Sequence, residues 1–219
     1  MRIVSLNLGR PRLMRWQGTT LSSGIFKEPF AGRVMLRKTN FEGDRQADLS
    51  VHGGPEKAAY GYPSEHYPFW SKVLAGRQLP WGSFGENLST EGMIETEISA
   101  GDRFRIGSAI VSVTTPRIPC LKLAAKFQRD SMIEEFLNSG YSGFYFSVLE
   151  EGEIGAGDLV EFVGGETPTL TVAELFRLFP SRALDVELLE RATQIKSLPQ
   201  SWRERFQARL AAAKTENKI

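Results

Sequence analysis

Cysteine is nearly missing from this chain. Cys120 is the single thiol in 219 residues, so no internal disulfide can form. Histidine is almost as scarce: there are only His52 and His66, and no recognised zinc spacing joins them to Cys120. An excess of one charge is also lacking. Lys and Arg (27) nearly balance Asp and Glu (26), for a formal net charge of +1. That removes the broad field that would draw in nucleic acid or an anionic membrane, so any anion site must be local. No apolar run approaches the ~20 residues that span a bilayer. The start, Met1-Arg2-Ile3-Val4-Ser5-Leu6-Asn7, leads into alternating, strand-like sequence instead of the apolar core of a signal peptide. A reducing cytoplasm is the expected compartment. Internal repeats and low-complexity tracts are absent too.

What is present is enough apolar sequence, 41% of residues, for one substantial core and a small second one. Up to about Val163 short β-like segments alternate with glycine-rich turns: Arg2 to Leu8, Gly32 to Thr39, Glu95 to Ser99, Arg103 to Ile106, Ala109 to Thr115, Gly143 to Leu149 and Leu159 to Val163. Strands this short and evenly spaced predict a mainly β barrel or sandwich with covering helices. Helix is predicted over Ser64 to Leu74, with Tyr67, Phe69 and Trp70 packing inward. A second helix is predicted after Cys120, where Leu121, Ala124, Ala125, Gln128, Met132 and Phe136 share a face and Asn138-Ser139-Gly140 supplies a stop. Gly164-Gly165-Glu166-Thr167-Pro168 reads as a linker. Beyond it, Thr171 to Glu174 and Ser201 to Glu204 have capping-box form and Asp185 precedes a further apolar repeat, which makes three helices. The division is a β domain over 1–165 and a three-helix domain over 166–219.

Cys120 closes the run Thr114-Thr115-Pro116-Arg117-Ile118-Pro119-Cys120, at a predicted strand-to-helix junction. A helix N-terminus, Arg117 and Lys122 would all stabilise thiolate, the form that attacks electrophiles or binds soft metals; a small buried hydrophobe is the alternative. His52-Gly53-Gly54-Pro55-Glu56-Lys57 has the form of an anion cradle, with glycine N–H groups and a lysine, or else of a tight turn with a solvated lysine. It lacks the spacing of a P-loop. Asn87, behind Gly85, could read the edge of a heterocycle or cap its own loop. A Cys-His nucleophile pair would make a metal-free hydrolase or transferase.

Five ordered segments together carry a resemblance. They are Asp44, Gln46, Ala47 and Asp48; His52-Gly53-Gly54 with Lys57-Ala58; Phe84-Gly85-Glu86-Asn87-Leu88; Gly101-Asp102; and Pro116-Arg117-Ile118-Pro119-Cys120. In this order they resemble the MOSC superfamily, named from the C-terminal domain of molybdenum cofactor sulfurase. With the three helices added, the chain resembles the bacterial hydroxylaminopurine-resistance subfamily. The resemblance implies a MOSC-type β-barrel, a molybdopterin-type molybdenum cofactor and Cys120 as the protein's ligand to the metal. It further implies two-electron reduction of N-hydroxylated compounds, including toxic base analogues, to amines. Gly53, Gly54, Lys57, Asn87 and Arg117 are then the expected cofactor contacts, with His52 as supporting residue or proton donor. An external flavin or haem reductase must supply electrons, because the chain has no ferredoxin cysteine set, haem motif or dinucleotide fingerprint. A cofactor or sulfur carrier using the same thiol is the second reading.

Overall fold

The computed structural model describes residues 1–47, 53–167, 169–179 and 185–216. In chain order the strands are β1 (Arg2–Leu8), β2 (Arg12–Trp16), β3 (Thr19–Ser23), β4 (Glu28–Pro29), β5 (Arg33–Leu36), β6 (Ala59–Pro63), β7 (Leu88–Glu91), β8 (Arg103–Ile106), β9 (Ala109–Pro116), β10 (Phe144–Glu150), β11 (Gly152–Gly155) and β12 (Val160–Gly164). The helices are α1 (Tyr67–Val73), α2 (Leu121–Phe127), α3 (Met132–Ser139), α4 (Val172–Leu178), α5 (Val186–Gln194) and α6 (Gln200–Glu216).

The main sheet runs β12-β8-β9-β10-β6-β7-β1-β4, antiparallel except for the parallel pair β6 and β7. Its twist brings β12 back to β1, where Ile3 donates to the Asp158 carbonyl (2.9 Å) and Val160 to the Met1 carbonyl (3.0 Å). The sheet therefore closes as a barrel, which removes most exposed strand edge. Alternation along the strands sends Phe104, Val111, Val113, Phe144 and Phe146 into its interior, and a register shift between Ile3 and Ser5 lets both Ile3 and Leu6 join them. A second core lies outside the barrel wall, where Tyr62, Trp70, Phe84 and Phe136 join α1, α2 and α3 to β6.

The third core belongs to α4, α5 and α6, around Leu175, Leu189, Trp202 and Phe206. Backbone hydrogen bonds moor this module to the barrel: Val172 to the Ile98 carbonyl (2.9 Å), Ala173 to that of Glu95 (2.9 Å) and Ala100 to that of Leu170 (3.0 Å). Thr171 and Glu174 form the expected capping box, and Asp185 caps Leu188.

Four local expectations are corrected. Glu95 to Ser99 is a turn, not a strand: the Ile94 carbonyl receives the Glu97 (2.9 Å) and Ile98 (3.1 Å) N–H groups, and the buried Glu95 carboxylate is held by His66 (2.7 Å) and the Gly143 N–H (2.7 Å). The helix after Cys120 is two helices. Gln128 takes left-handed backbone, φ 51°, and its side-chain amide bonds the Ala125 carbonyl (2.7 Å), which ends α2. Phe69 is exposed while Tyr67 and Trp70 are buried, as one turn of a short surface helix requires. Ser201 is not a cap: Pro199 presents its carbonyl to the Trp202 and Arg203 N–H groups, and Ser201 lies inside α6.

Candidate functional site

β9 ends at Pro116 and α2 begins at Leu121, so Arg117 to Cys120 cross the end of the barrel at the junction expected from sequence. Cys120 precedes α2 in extended conformation, φ −132° and ψ 171°, and its carbonyl receives the Leu123 N–H at 2.8 Å. The thiol is half-buried in a cavity of about 250 Å³.

The loop opposite is organised by a residue to which the sequence assigns no role. Glu86 is fully buried; its carboxylate accepts from the Gly82 N–H (2.8 Å), the Phe84 N–H (3.0 Å), Ser89 Oγ (3.0 Å) and the Tyr67 hydroxyl. Gly85 in this loop has φ +81°, and a Cβ there would stand 2.7 Å from Ile25 Cγ1. A second close approach is at Gly53, φ +86°, where a Cβ would meet the Gln46 side chain at 2.9 Å. Larger residues at either position would fill the cradle.

Four cations line the cavity, Lys27, Lys57, Arg117 and Lys122, and no carboxylate does among the described residues. Arg117 is buried, donates to the Phe84 carbonyl and lies over the rings of Tyr60 (5.1 Å) and Phe136 (5.6 Å). Burial opposes its charge, but Tyr60, Tyr145 and Cys120 more than offset this, so its pKa is raised. Burial likewise raises Tyr145, and raises Tyr60 far above the ordinary phenol range, so both stay protonated. Tyr60 donates to the Ser142 carbonyl at 2.7 Å.

The structure brings Gly53, Lys57, Asn87, Arg117 and Cys120 to one cavity. Gly54 is not among the lining residues; it opens the short 3-10 turn Pro55–Lys57. His52 lies outside the described residues. Asn87 is a brace as well as a wall. Its amide donates to Asp44 (3.0 Å) and the Asn7 carbonyl (3.3 Å), and its oxygen accepts from the Tyr60 N–H (3.2 Å). His66 is buried beside Glu95, stacked on Tyr141 at 3.8 Å, and does not line the cavity. No cluster of three His, Cys, Asp or Glu able to hold a metal occurs among the described residues. Lining residues without a sequence signal include Lys27, Tyr60, Tyr145, Phe179 and Trp202.

The donor set fits a sulfur-ligated, phosphate-bearing cofactor. A single thiol suits a soft metal already held by other sulfurs, and Lys57, Arg117 and Lys122 beside glycine backbone suit a phosphate.

A closed barrel with a thiol in a basic cavity at its end defines a class: the chain belongs to the MOSC domain family, whose model matches residues 48–161. Its C-terminal helices match the YiiM-like, 3-alpha helix domain over residues 170–213, which groups the whole chain with YiiM-type proteins. YflK of Bacillus subtilis (strain 168) is 43% identical over 93% of this chain and 92% of its own length. The crystal structure of YiiM from Geobacillus stearothermophilus superposes with a TM-score of 0.80 at 33% identity, covering 95% of this chain and 98% of that one. A Gibberella moniliformis protein named reductase is 30% identical over 81% of this chain, which corresponds to 32% of that protein. No helix among the described residues is long and apolar enough to cross a membrane.

Proposed function

We propose that this protein is a molybdenum cofactor-dependent reductase of N-hydroxylated compounds, acting in detoxification of hydroxylamino base analogues. One observation carries the reading: the chain's single thiol shares its cavity with four cations, of which Lys57, Arg117 and Lys122 have no carboxylate within 4.0 Å among the described residues and only Lys27 is paired, with Asp44. A local excess of positive charge in a chain of net charge +1 is built for an anion, and the thiol for a soft metal. Membership of the MOSC family and the named reductase among the relatives support the same reading.

Cys120 is the proposed metal ligand. Lys57, Arg117 and Lys122 hold the cofactor's anionic groups, and the backbone at Gly53 lets them approach. When bound, the molybdenum cofactor supplies a two-electron couple and a site that accepts oxygen. The reaction consumes two electrons and two protons, converting R–NHOH to R–NH2 and water. His52, next in the chain to Gly53, is the proposed proton donor, and the half-buried Tyr145 keeps its proton near Cys120. Electrons come from an external flavin or haem reductase.

Protein made in a cofactor-competent host is expected to contain about one molybdenum per chain, as one thiolate ligand implies, and to reduce an N-hydroxylated purine. Cys120→Ala should lose both metal and turnover. A fully active, metal-replete alanine variant would overturn the assignment. Cofactor-loaded wild type that reduces no N-hydroxylated compound would point to the carrier reading instead.

A further inference from the structure

Two side chains from the three-helix module, Phe179 and Trp202, line the cavity that holds Cys120. Among the described residues, the rest of the lining comes from the barrel and α2 portion, residues 23–145. Phe179 follows the last turn of α4, with its N–H on the Leu175 carbonyl (3.2 Å), and Trp202 sits in the first turn of α6. Their rings lie 4.6 Å apart with 37° between planes.

Helix α6 fixes Phe179 by more than that stack. Arg205 lies 4.0 Å over the Phe179 ring and donates to its carbonyl at 3.1 Å, and Arg209 donates to the Leu178 carbonyl. The last carbonyls of α4 have no partner within their own helix, and these two guanidiniums supply one. Trp202 is backed in turn by Phe206, edge-on at 5.7 Å. The aromatic pair is therefore set in place by the module's own packing before any ligand arrives.

The cavity has two chemically different sides. The barrel and α2 side gives it a thiol, four cations and the hydroxyl-bearing rings of Tyr60 and Tyr145, which answer phosphate and metal. The module gives it flat, apolar rings, which answer neither. We infer that Phe179 and Trp202 form the face on which the planar ring of an aromatic or heteroaromatic N-hydroxylated substrate stacks, so the three-helix module selects ring-bearing over aliphatic substrates. The substrate's head group in this inference rests on the reductase reading; the stacking face rests on the two rings alone.

Benzhydroxamic and acetohydroxamic acid share one N-hydroxylated head group and differ in the ring, so they probe the face directly. Equilibrium binding of both to cofactor-loaded wild type, Phe179→Leu and Trp202→Leu is the measurement. Wild type should favour benzhydroxamate by about tenfold or more, and each leucine variant, which keeps apolar volume and removes the π face, should cut that ratio by about tenfold. Molybdenum per chain should match wild type. A ratio near one in wild type, or a ratio unchanged in the variants, would overturn the inference. So would molybdenum content that falls in step with ring removal, since the rings would then serve the cofactor. Trp202 belongs to the module's core, so if its variant does not fold, Phe179→Leu at the half-exposed position decides. Ring preference without turnover of either acid would reject the reductase reading and keep the stacking face. Turnover of both acids with equal binding would do the reverse.

Discussion

Lys27 and Arg117 line the same cavity, are both buried, and differ in what answers their charge. Lys27 donates to both oxygens of the buried Asp44. Burial still pulls its pKa down, against the carboxylate's pull upward. Asp44 also receives the Gly9 N–H (2.8 Å) and the Asn87 amide (3.0 Å), so the pair ties four loops together. Arg117 has a carbonyl and two aromatic faces but no carboxylate within 4.0 Å among the described residues. Burial costs this guanidinium solvation, but its carbonyl and ring neighbours offset the cost, so its pKa is raised although no carboxylate among the described residues answers it. The paired cation closes the structure, while the unpaired one leaves charge available to a ligand.

The contrast breaks or sharpens under substitution. Asp44→Asn strands Lys27 and should cost about 3–5 kcal/mol, the usual penalty for removing one partner of a buried pair, read from the urea midpoint of cofactor-free protein. A loss below about 1 kcal/mol would mean the pair is no strut. Arg117→Met should behave in the opposite way. Orphaning the Phe84 carbonyl should cost about 1–2 kcal/mol, less than breaking the buried pair. Cofactor retention should instead weaken by roughly tenfold or more, the value of one charge-assisted hydrogen bond, followed as molybdenum per chain after gel filtration. Destabilisation as large as that of Asp44→Asn, with retention unchanged, would put Arg117 among the struts.

The sequence revealed features whose cause is local. β1 and β8 have the bounds read from alternation, and Thr171, Glu174 and Asp185 cap as their spacing predicts, because each signal and its partner lie within a few residues. Cys120, Arg117, Lys57, Gly53 and Asn87 were legible through ordered motifs and do meet in one cavity. Lys27 was not. Its partner Asp44 is 17 residues away, and nothing in Ser23 to Phe30 marks a buried lysine. Phe179 and Trp202 escaped for a similar reason: their role depends on how α4 and α6 dock, and Ser201 to Glu204 drew the eye as a cap that Pro199 supplies instead. Glu95 to Ser99 has strand-like composition, but its backbone partners come from residues 171–173 and outweigh that propensity.

Lys126 stands between the two cases, and its effect is read as a slope with pH instead of a loss on substitution. It donates to the carbonyls of Ile25 and Gly82, both at 2.9 Å, and has no carboxylate within 4.0 Å among the described residues. Burial pushes its pKa down from 10.5 to about 8; Glu86 opposes the shift, and Arg117, Lys27 and Arg12 add to it. Below about pH 8 both the folded and unfolded chains carry the proton, and the folded state bears a constant penalty. Between about 8 and 10.5 the folded lysine is neutral while the unfolded one still binds its proton, so stability rises with pH. The rise is at most about 1.4 kcal/mol per pH unit. Unfolding midpoints of wild type and Lys126→Met, compared across this window, isolate it from the tyrosines that titrate nearby. Wild type should gain on the methionine variant as pH increases. A constant difference would mean that Glu86 fully offsets the burial of this charge, and would move Lys126 to the paired side.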